Sequence, residues 1–110
     1  MHELAIAQGV IDAVTERLPG ATVTGVRLEI GALSGVVPDS LRFCFDLATE
    51  GTALAGAQLD IAEPAARCHC RGCGRDFSPD GPFPLCPCGS GDFVVLAGEE
   101  LRILSVQVAA

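Results

Sequence analysis

Cys68-His69-Cys70-Arg71-Gly72-Cys73-Gly74 and Cys86-Pro87-Cys88-Gly89 hold five of the six cysteines of this 110-residue chain, with twelve residues between Cys73 and Cys86. Two residues between Cys70 and Cys73 let both sulfurs turn toward one ion, and Gly74 relieves crowding in the turn. Four thiolates at about 2.3 Å in a tetrahedron form a closed structural zinc site with no position open to substrate. Cys70, Cys73, Cys86 and Cys88 are the expected zinc set. The second pair has one intervening residue where a zinc knuckle has two, so Cys68 or His69 stands as a substitute for one member. Disulfides and a rubredoxin-like iron site are the competing readings of the same spacing.

The surroundings favour a metal. Between Pro64 and Gly91 lie five of the seven prolines and five of the thirteen glycines, with few aliphatic residues. About 28 residues of this kind cannot bury enough apolar surface to offset chain entropy. Zinc binding can contribute ~10–16 kcal/mol to folding such a module. Arg67, Arg71 and Arg75 flank the first pair, where they can offset the anionic centre or simply face solvent.

Outward from this segment the patterns are regular. Leu4, Ala7, Val10, Ile11, Val14 and Leu18 recur at helical spacing, and Pro19-Gly20 stops the helix. From Thr22 to Ile30 the period becomes two, with Thr24, Val26, Leu28 and Ile30 on one side of a half-buried strand. Gly31 and Gly35 bracket a loop, and Pro38 suits the first turn of a second helix, since its missing N–H would lack a helical partner there. Leu41, Cys44, Phe45 and Ala48 form the stripe of that helix; Cys44 is expected in the core as a small hydrophobe. Leu59 and Ile61 mark a second strand. Phe93 to Leu96 and Leu101 to Val108, around Gly98-Glu99, read as a hairpin returning to the first sheet.

The expected fold is α+β: two helices packed on a small three- to four-stranded sheet, residues 1–63 and 93–110, with an inserted zinc-ribbon-like metal lobe at 64–92. Fourteen acidic residues stand against seven arginines, lysine is absent, and the formal charge is −7. That balance argues against nucleic acid as a partner. Apolar runs are broken within about ten residues, too short to span a bilayer, and no export signal is visible, so the expected location is cytoplasmic. With only His2 and His69 available and no phosphate loop, the chain is not expected to be an enzyme.

The amino terminus adds Met1-His2-Glu3. An imidazole next to the terminal amine can form fused chelate rings with that amine and with backbone nitrogens, a donor set suited to Ni(II) or Cu(II).

Met1-His2-Glu3, Leu33-Ser34-Gly35-Val36 leading to Ser40-Leu41-Arg42-Phe43-Cys44-Phe45-Asp46, the paired cysteines, Gly89-Ser90 and Gly98-Glu99-Glu100-Leu101 together resemble the HypA/HybF family of hydrogenase maturation factors, over essentially the whole chain. The resemblance implies a nickel metallochaperone in which residues 1–63 and 93–110 form the nickel-binding domain. It implies Ni(II) as cargo on His2 with backbone nitrogens at Met1, His2 and Glu3, and a structural Zn(II) on four cysteines. It further implies a HypB-type nickel GTPase and the [NiFe]-hydrogenase large subunit as partners, with urease served by some members. Two departures stand out. The second knuckle is one residue shorter than the family's C-P-x-C, and Val37 occupies the position where some relatives place a carboxylate near nickel, with Asp39 two residues on. A zinc-ribbon interaction module without nickel handling is the alternative reading.

Overall fold

The structure is a computed structural model that describes residues 2–79 and 84–110; Met1 and residues 80–83 of the expected metal lobe lie outside the described residues. The first helix, α1, runs Glu3–Arg17, and the Leu18 N–H closes its last turn on the Val14 carbonyl. Its inward face is Glu3, Ala7, Val10, Ile11 and Val14. Leu4 and Leu18, expected on that face, are exposed. Glu3 takes the first-turn position one helical repeat below Ala7, and Leu18 lies past the helix end.

Strand β1, Val23–Ile30, follows. Val26, Leu28 and Ile30 point inward as the alternation requires, but Thr24 is exposed. A register shift between Val23 and Gly25 inserts a bulge there, and one added residue reverses the face of what precedes it. Helix α2, Pro38–Ala48, starts with proline in its first turn and buries Leu41 and Phe45, while Cys44 is half-buried against the same core. α2 crosses over to strand β2, Gln58–Ala62, which pairs parallel to β1 from Gly25↔Gln58 to Glu29↔Ala62. Parallel neighbours need such a crossover. Strand β6, Leu101–Val108, pairs antiparallel on the other side, giving the order β2-β1-β6. Ala7, Val10, Leu28, Ile30, Leu41 and Phe45 lie at the centre of the core between this sheet and the helices.

A second sheet carries the cysteines. β3 (Arg67–Cys70) lies between β4 (Asp76–Phe77) and β5 (Phe93–Ala97), all antiparallel. The expected α+β class holds, with two three-stranded sheets in place of one. The hairpin expectation is corrected: β5 and β6 do not pair, because β5 is hydrogen-bonded to β3 from Arg67↔Ala97 to Cys70↔Phe93. The stretch from residue 93, assigned by sequence to the first domain, therefore begins with a strand of the second sheet. Alternation identified β5 as a strand but carries no information on its partner. Phe77 and Phe93 meet edge to face at 6.0 Å, a small apolar contact in a sheet otherwise poor in core.

The two sheets meet at a backbone clasp. Gly31 N–H donates to the Glu100 carbonyl (2.8 Å), Leu33 N–H to Gly98 (2.6 Å) and Ala32 N–H to Pro64 (3.1 Å). Two glycines allow the approach. A Cβ on Gly31 would lie 2.1 Å from the Gly98 carbonyl oxygen, and one on Gly98 would lie 2.8 Å from the Ala66 Cα. Gly98 also has φ +119°, a conformation only glycine adopts readily. The elongated molecule, 53 × 23 × 17 Å, has this clasp where its two sheets join. Gly98→Ala is expected to lower stability by about 1–3 kcal/mol from backbone strain alone. Urea denaturation of the zinc-loaded protein measures this, and a midpoint equal to that of the unaltered chain would contradict the clasp.

Candidate metal centres

The cysteine site is built from two turns facing each other. Cys70 ends β3. Its carbonyl accepts the Gly74 N–H at 2.9 Å, and its sulfur accepts the Cys73 N–H at 3.4 Å. Gly74 has φ +78°, which lets the chain reverse immediately after Cys73. The second turn is tighter. The Cys86 carbonyl accepts the Gly89 N–H at 2.8 Å, and Gly89 has φ +90°. The missing residue of Cys86-Pro87-Cys88 is absorbed here: a four-residue turn replaces the five-residue turn of the first pair, and a glycine follows the second cysteine in both. Gly72 packs against Ser90, whose Cβ would lie 3.1 Å from an added Cβ, so the turns sit close together.

These turns bring Cys70, Cys73, Cys86 and Cys88 together, with all four sulfurs within 4.8 Å of one another. Cys70 and Cys88 are 3.7 Å apart, and Cys73 and Cys86 are 3.6 Å apart. A tetrahedron with 2.3 Å metal–sulfur bonds has edges of about 3.8 Å, so the spacing fits zinc. All six cysteines are free, and the disulfide reading falls. Iron in a rubredoxin-like site would require the same geometry.

The thiols differ electrostatically. Cys70 is lowered to about 6, first by the Cys73 backbone N–H and then, against burial, by the neighbouring thiols. Cys86 accepts a hydrogen bond from the Cys88 backbone, yet burial and the three adjacent thiols push it up to about 12. A divalent cation displaces that retained proton and neutralises part of the charge.

The proposed substitutes are engaged elsewhere. Cys68 is buried in β3 opposite Phe77 and Val95, and burial, then Glu99, raises its thiol. His69 points out of the other side of β3, with Nδ1 2.6 Å from Asp76. Arg71 pairs with Asp92 at 3.2 Å, beside the Cys70 end of β3. Both ion pairs are solvent-exposed and contribute little individually.

The amino terminus is the second centre. His2 is exposed at the cap of α1, its carbonyl accepting the Ile6 N–H at 2.9 Å. It opens on a groove shared with Leu4, Gln8 and Leu47. Amides in the first helical turn have no helical carbonyl to bond, and that of Glu3 is hydrogen-bonded to its own carboxylate. The helix dipole there favours nitrogen that has lost its proton. Glu3 plays a role the sequence did not disclose. Its side chain is buried, and Oε2 accepts the N–H of Val37, the cap residue of α2, at 3.1 Å. Its carboxylate thus braces the two helix starts together. Val37 reaches the terminus through its backbone and brings no carboxylate, while Asp39 is exposed in the first turn of α2. Met1, the third expected nickel residue, lies outside the described residues.

Cys68→Ser is expected to retain one zinc per chain, whereas Cys73→Ser and Cys88→Ser lose it. Native mass spectrometry reads the stoichiometry, and zinc loss from the Cys68 variant would contradict the four-sulfur assignment.

Comparison with known proteins places this arrangement. Residues 1–108 match the family described as hydrogenase/urease nickel incorporation, metallochaperone, hypA. The hydrogenase maturation factor HypA of Nostoc punctiforme is 46% identical over 108 residues, covering 98% of this chain and 96% of the relative. That of Geobacter metallireducens is 44% identical over 109 residues, covering 98% and 99%. The solution structure of the Ni metallochaperone HypA from Helicobacter pylori superposes with a TM-score of 0.65 at 22% identity, covering 100% of this chain and 99% of that one, and so shares the fold. The chain belongs to the HypA family of hydrogenase maturation factors, which are nickel metallochaperones rather than enzymes.

Proposed function

We propose that this chain carries Ni(II) on its first residues and delivers it during [NiFe]-hydrogenase maturation, while Zn(II) on Cys70, Cys73, Cys86 and Cys88 is structural. The supporting observation is the contrast between the two centres. The four sulfurs close on each other and fill a tetrahedron, whereas His2 stands exposed at an open helix start. A cargo site must release its ion, and a helix terminus can fray at little cost. A closed tetrathiolate, whose four ligands all come from the chain, does not release its ion this way.

In this reading the His2 imidazole, the Met1 amine and backbone nitrogen at His2 and Glu3 bind nickel. Such a nitrogen set suits a square-planar Ni(II) and discriminates against zinc. The Glu3 carboxylate acts inward, fixing the helix start through Val37, so the donor atoms stand on a defined scaffold. The partners are a HypB-type nickel GTPase and the [NiFe]-hydrogenase large subunit, met in the cytoplasm; no helix among the described residues is long and apolar enough to cross a membrane.

His2→Ala, or any residue added ahead of Met1, is expected to abolish specific nickel binding and leave one zinc per chain. Isothermal titration of the zinc-loaded protein decides the matter. Unchanged nickel stoichiometry in either protein would overturn the assignment.

A further inference from the structure

β5, Phe93-Val94-Val95-Leu96-Ala97, is an outer strand of the second sheet, paired with β3 on one side and with no described strand on the other. Proteins keep such edges from recruiting a further strand with charges, prolines, very short length, bulges or a covering side chain. Neighbouring edges show these devices. β4 is two residues long, carries Asp76 and is followed by Pro79. β2 carries Asp60, and the Arg42 guanidinium of α2 covers its Leu59 carbonyl. Of the outer strands described, β5 alone bears no charged side chain, and it has no proline. All five of its side chains are apolar, none is fully buried, and Leu96 is 46% exposed. Its one guard is a register shift that leaves Leu96 opposite no residue of β3, beyond the regular stretch from Phe93 to Val95.

The backbone of that stretch is as open as its side chains. The Arg71 N–H donates to the Asp92 carbonyl at 2.9 Å, which makes Arg71 and Asp92 a hydrogen-bonded pair of the antiparallel ladder. The same register continues through Cys70↔Phe93, His69↔Val94 and Cys68↔Val95. Bonded and non-bonded pairs alternate along such a ladder, so His69 and Val94 bond each other, whereas Phe93 and Val95 turn N–H and C=O away from β3. β3 obeys the same alternation, since Cys70 sends its N–H the opposite way, to the Arg75 carbonyl at 2.8 Å. Among the described residues, nothing outside β3 is hydrogen-bonded to the Phe93 or Val95 backbone.

We infer that β5 is a strand-addition site, taking an extended segment of another protein whose middle is apolar and whose ends carry lysine or arginine. The segment completes the ladder through the free groups of Phe93 and Val95. Its side chains alternate between the face of Phe93 and Val95 and that of Val94, covering apolar surface on both. The site is independent of the nickel assignment, because β5 belongs to the second sheet and His2 to the start of α1.

Size and charge choose this occupant over a second copy of the chain. No helix packs on the second sheet, so two paired β5 strands would meet over a single layer, about 15 Å long and ~10 Å thick. That is far below the ~800 Å² per partner of a standard interface. An extended segment needs no such area, since it lies along the edge by itself. Asp92 precedes the strand, and Glu99 and Glu100 follow it. Arg71 is engaged with Asp92 at 3.2 Å, which leaves Arg67 at the Ala97 end against two carboxylates. The whole chain carries −7, so basic flanks are drawn to this edge while acidic flanks, and a second copy, are repelled.

The test uses the full zinc-loaded chain and a capped nonapeptide, Lys-Val-Thr-Val-Thr-Val-Thr-Val-Lys, with a counterpart in which both lysines are glutamate. In the free protein the Phe93 and Val95 amides are expected to exchange hydrogen about tenfold or more faster than the Val94 amide. Saturation with the lysine-flanked peptide slows them to the Val94 rate. Chemical-shift changes on titration should centre on residues 92–97, and the glutamate-flanked peptide should bind about tenfold more weakly. Leu96→Lys adds a like charge to the edge, and Val95→Pro removes a donor that β3 does not use. Each is expected to weaken binding about tenfold, with circular dichroism and one zinc per chain retained. The exchange contrast needs no substitution, so it decides the matter even if the proline variant misfolds. Phe93 and Val95 amides as slow as Val94 in the free protein, or no binding at millimolar peptide, would overturn the proposal. So would shifts centred on another strand, equal affinity for the two peptides, or undiminished binding by Leu96→Lys.

Discussion

Four sulfur atoms held within 4.8 Å of one another cannot all be thiolates unless a cation lies among them. This constraint organises the second sheet. Its strands are four, two and five residues long, with one aromatic pair between them, and so little buried apolar surface cannot hold a lobe. Cys70, Cys73, Cys86 and Cys88 would hold a zinc ion whose binding would supply the missing free energy across the two glycine-ended turns. Because all four positions of the tetrahedron are filled by the chain, the same site has no capacity left for cargo.

The terminal site depends on the opposite physics. There the chain offers nitrogen rather than sulfur, at a helix start where backbone amides lack helical acceptors. It relies on the core of the first sheet for position: Glu3 reaches inward to Val37, so the starts of both helices are held by one carboxylate. The two centres belong to different sheets, joined where Gly31, Leu33 and Ala32 donate to Glu100, Gly98 and Pro64. Three backbone hydrogen bonds, two of them at glycines too crowded for a Cβ, make that joint a defined contact rather than a tether.

Much of this was legible in the residues. Pro38 marked a helix start because its lost N–H is harmless there, and the paired cysteines marked a metal site; the short second pair left its members open until the fold showed Gly89 permitting a tighter turn. What was hidden was long-range. Alternation showed that 93–97 is a strand but not that β3, and not β6, would be its partner. Thr24 was placed on the wrong face because a bulge is decided by the opposing strand. Leu4 was read as core because helical periodicity alone does not say that a carboxylate one position earlier has the Val37 amide waiting for it. The proposed His2 site rests on three letters and a resemblance; the exposed cap and the braced helix start beside it were visible only in the fold.

Nickel and zinc are expected to occupy chemically different sites, and the nickel K-edge X-ray absorption spectrum of the protein loaded with both metals tests this most directly. The expected spectrum shows a first shell of nitrogen and oxygen with the outer-shell scattering of an imidazole, and the zinc edge retains four sulfurs. Nickel–sulfur scattering, or displacement of zinc from its sulfurs on nickel loading, would contradict it.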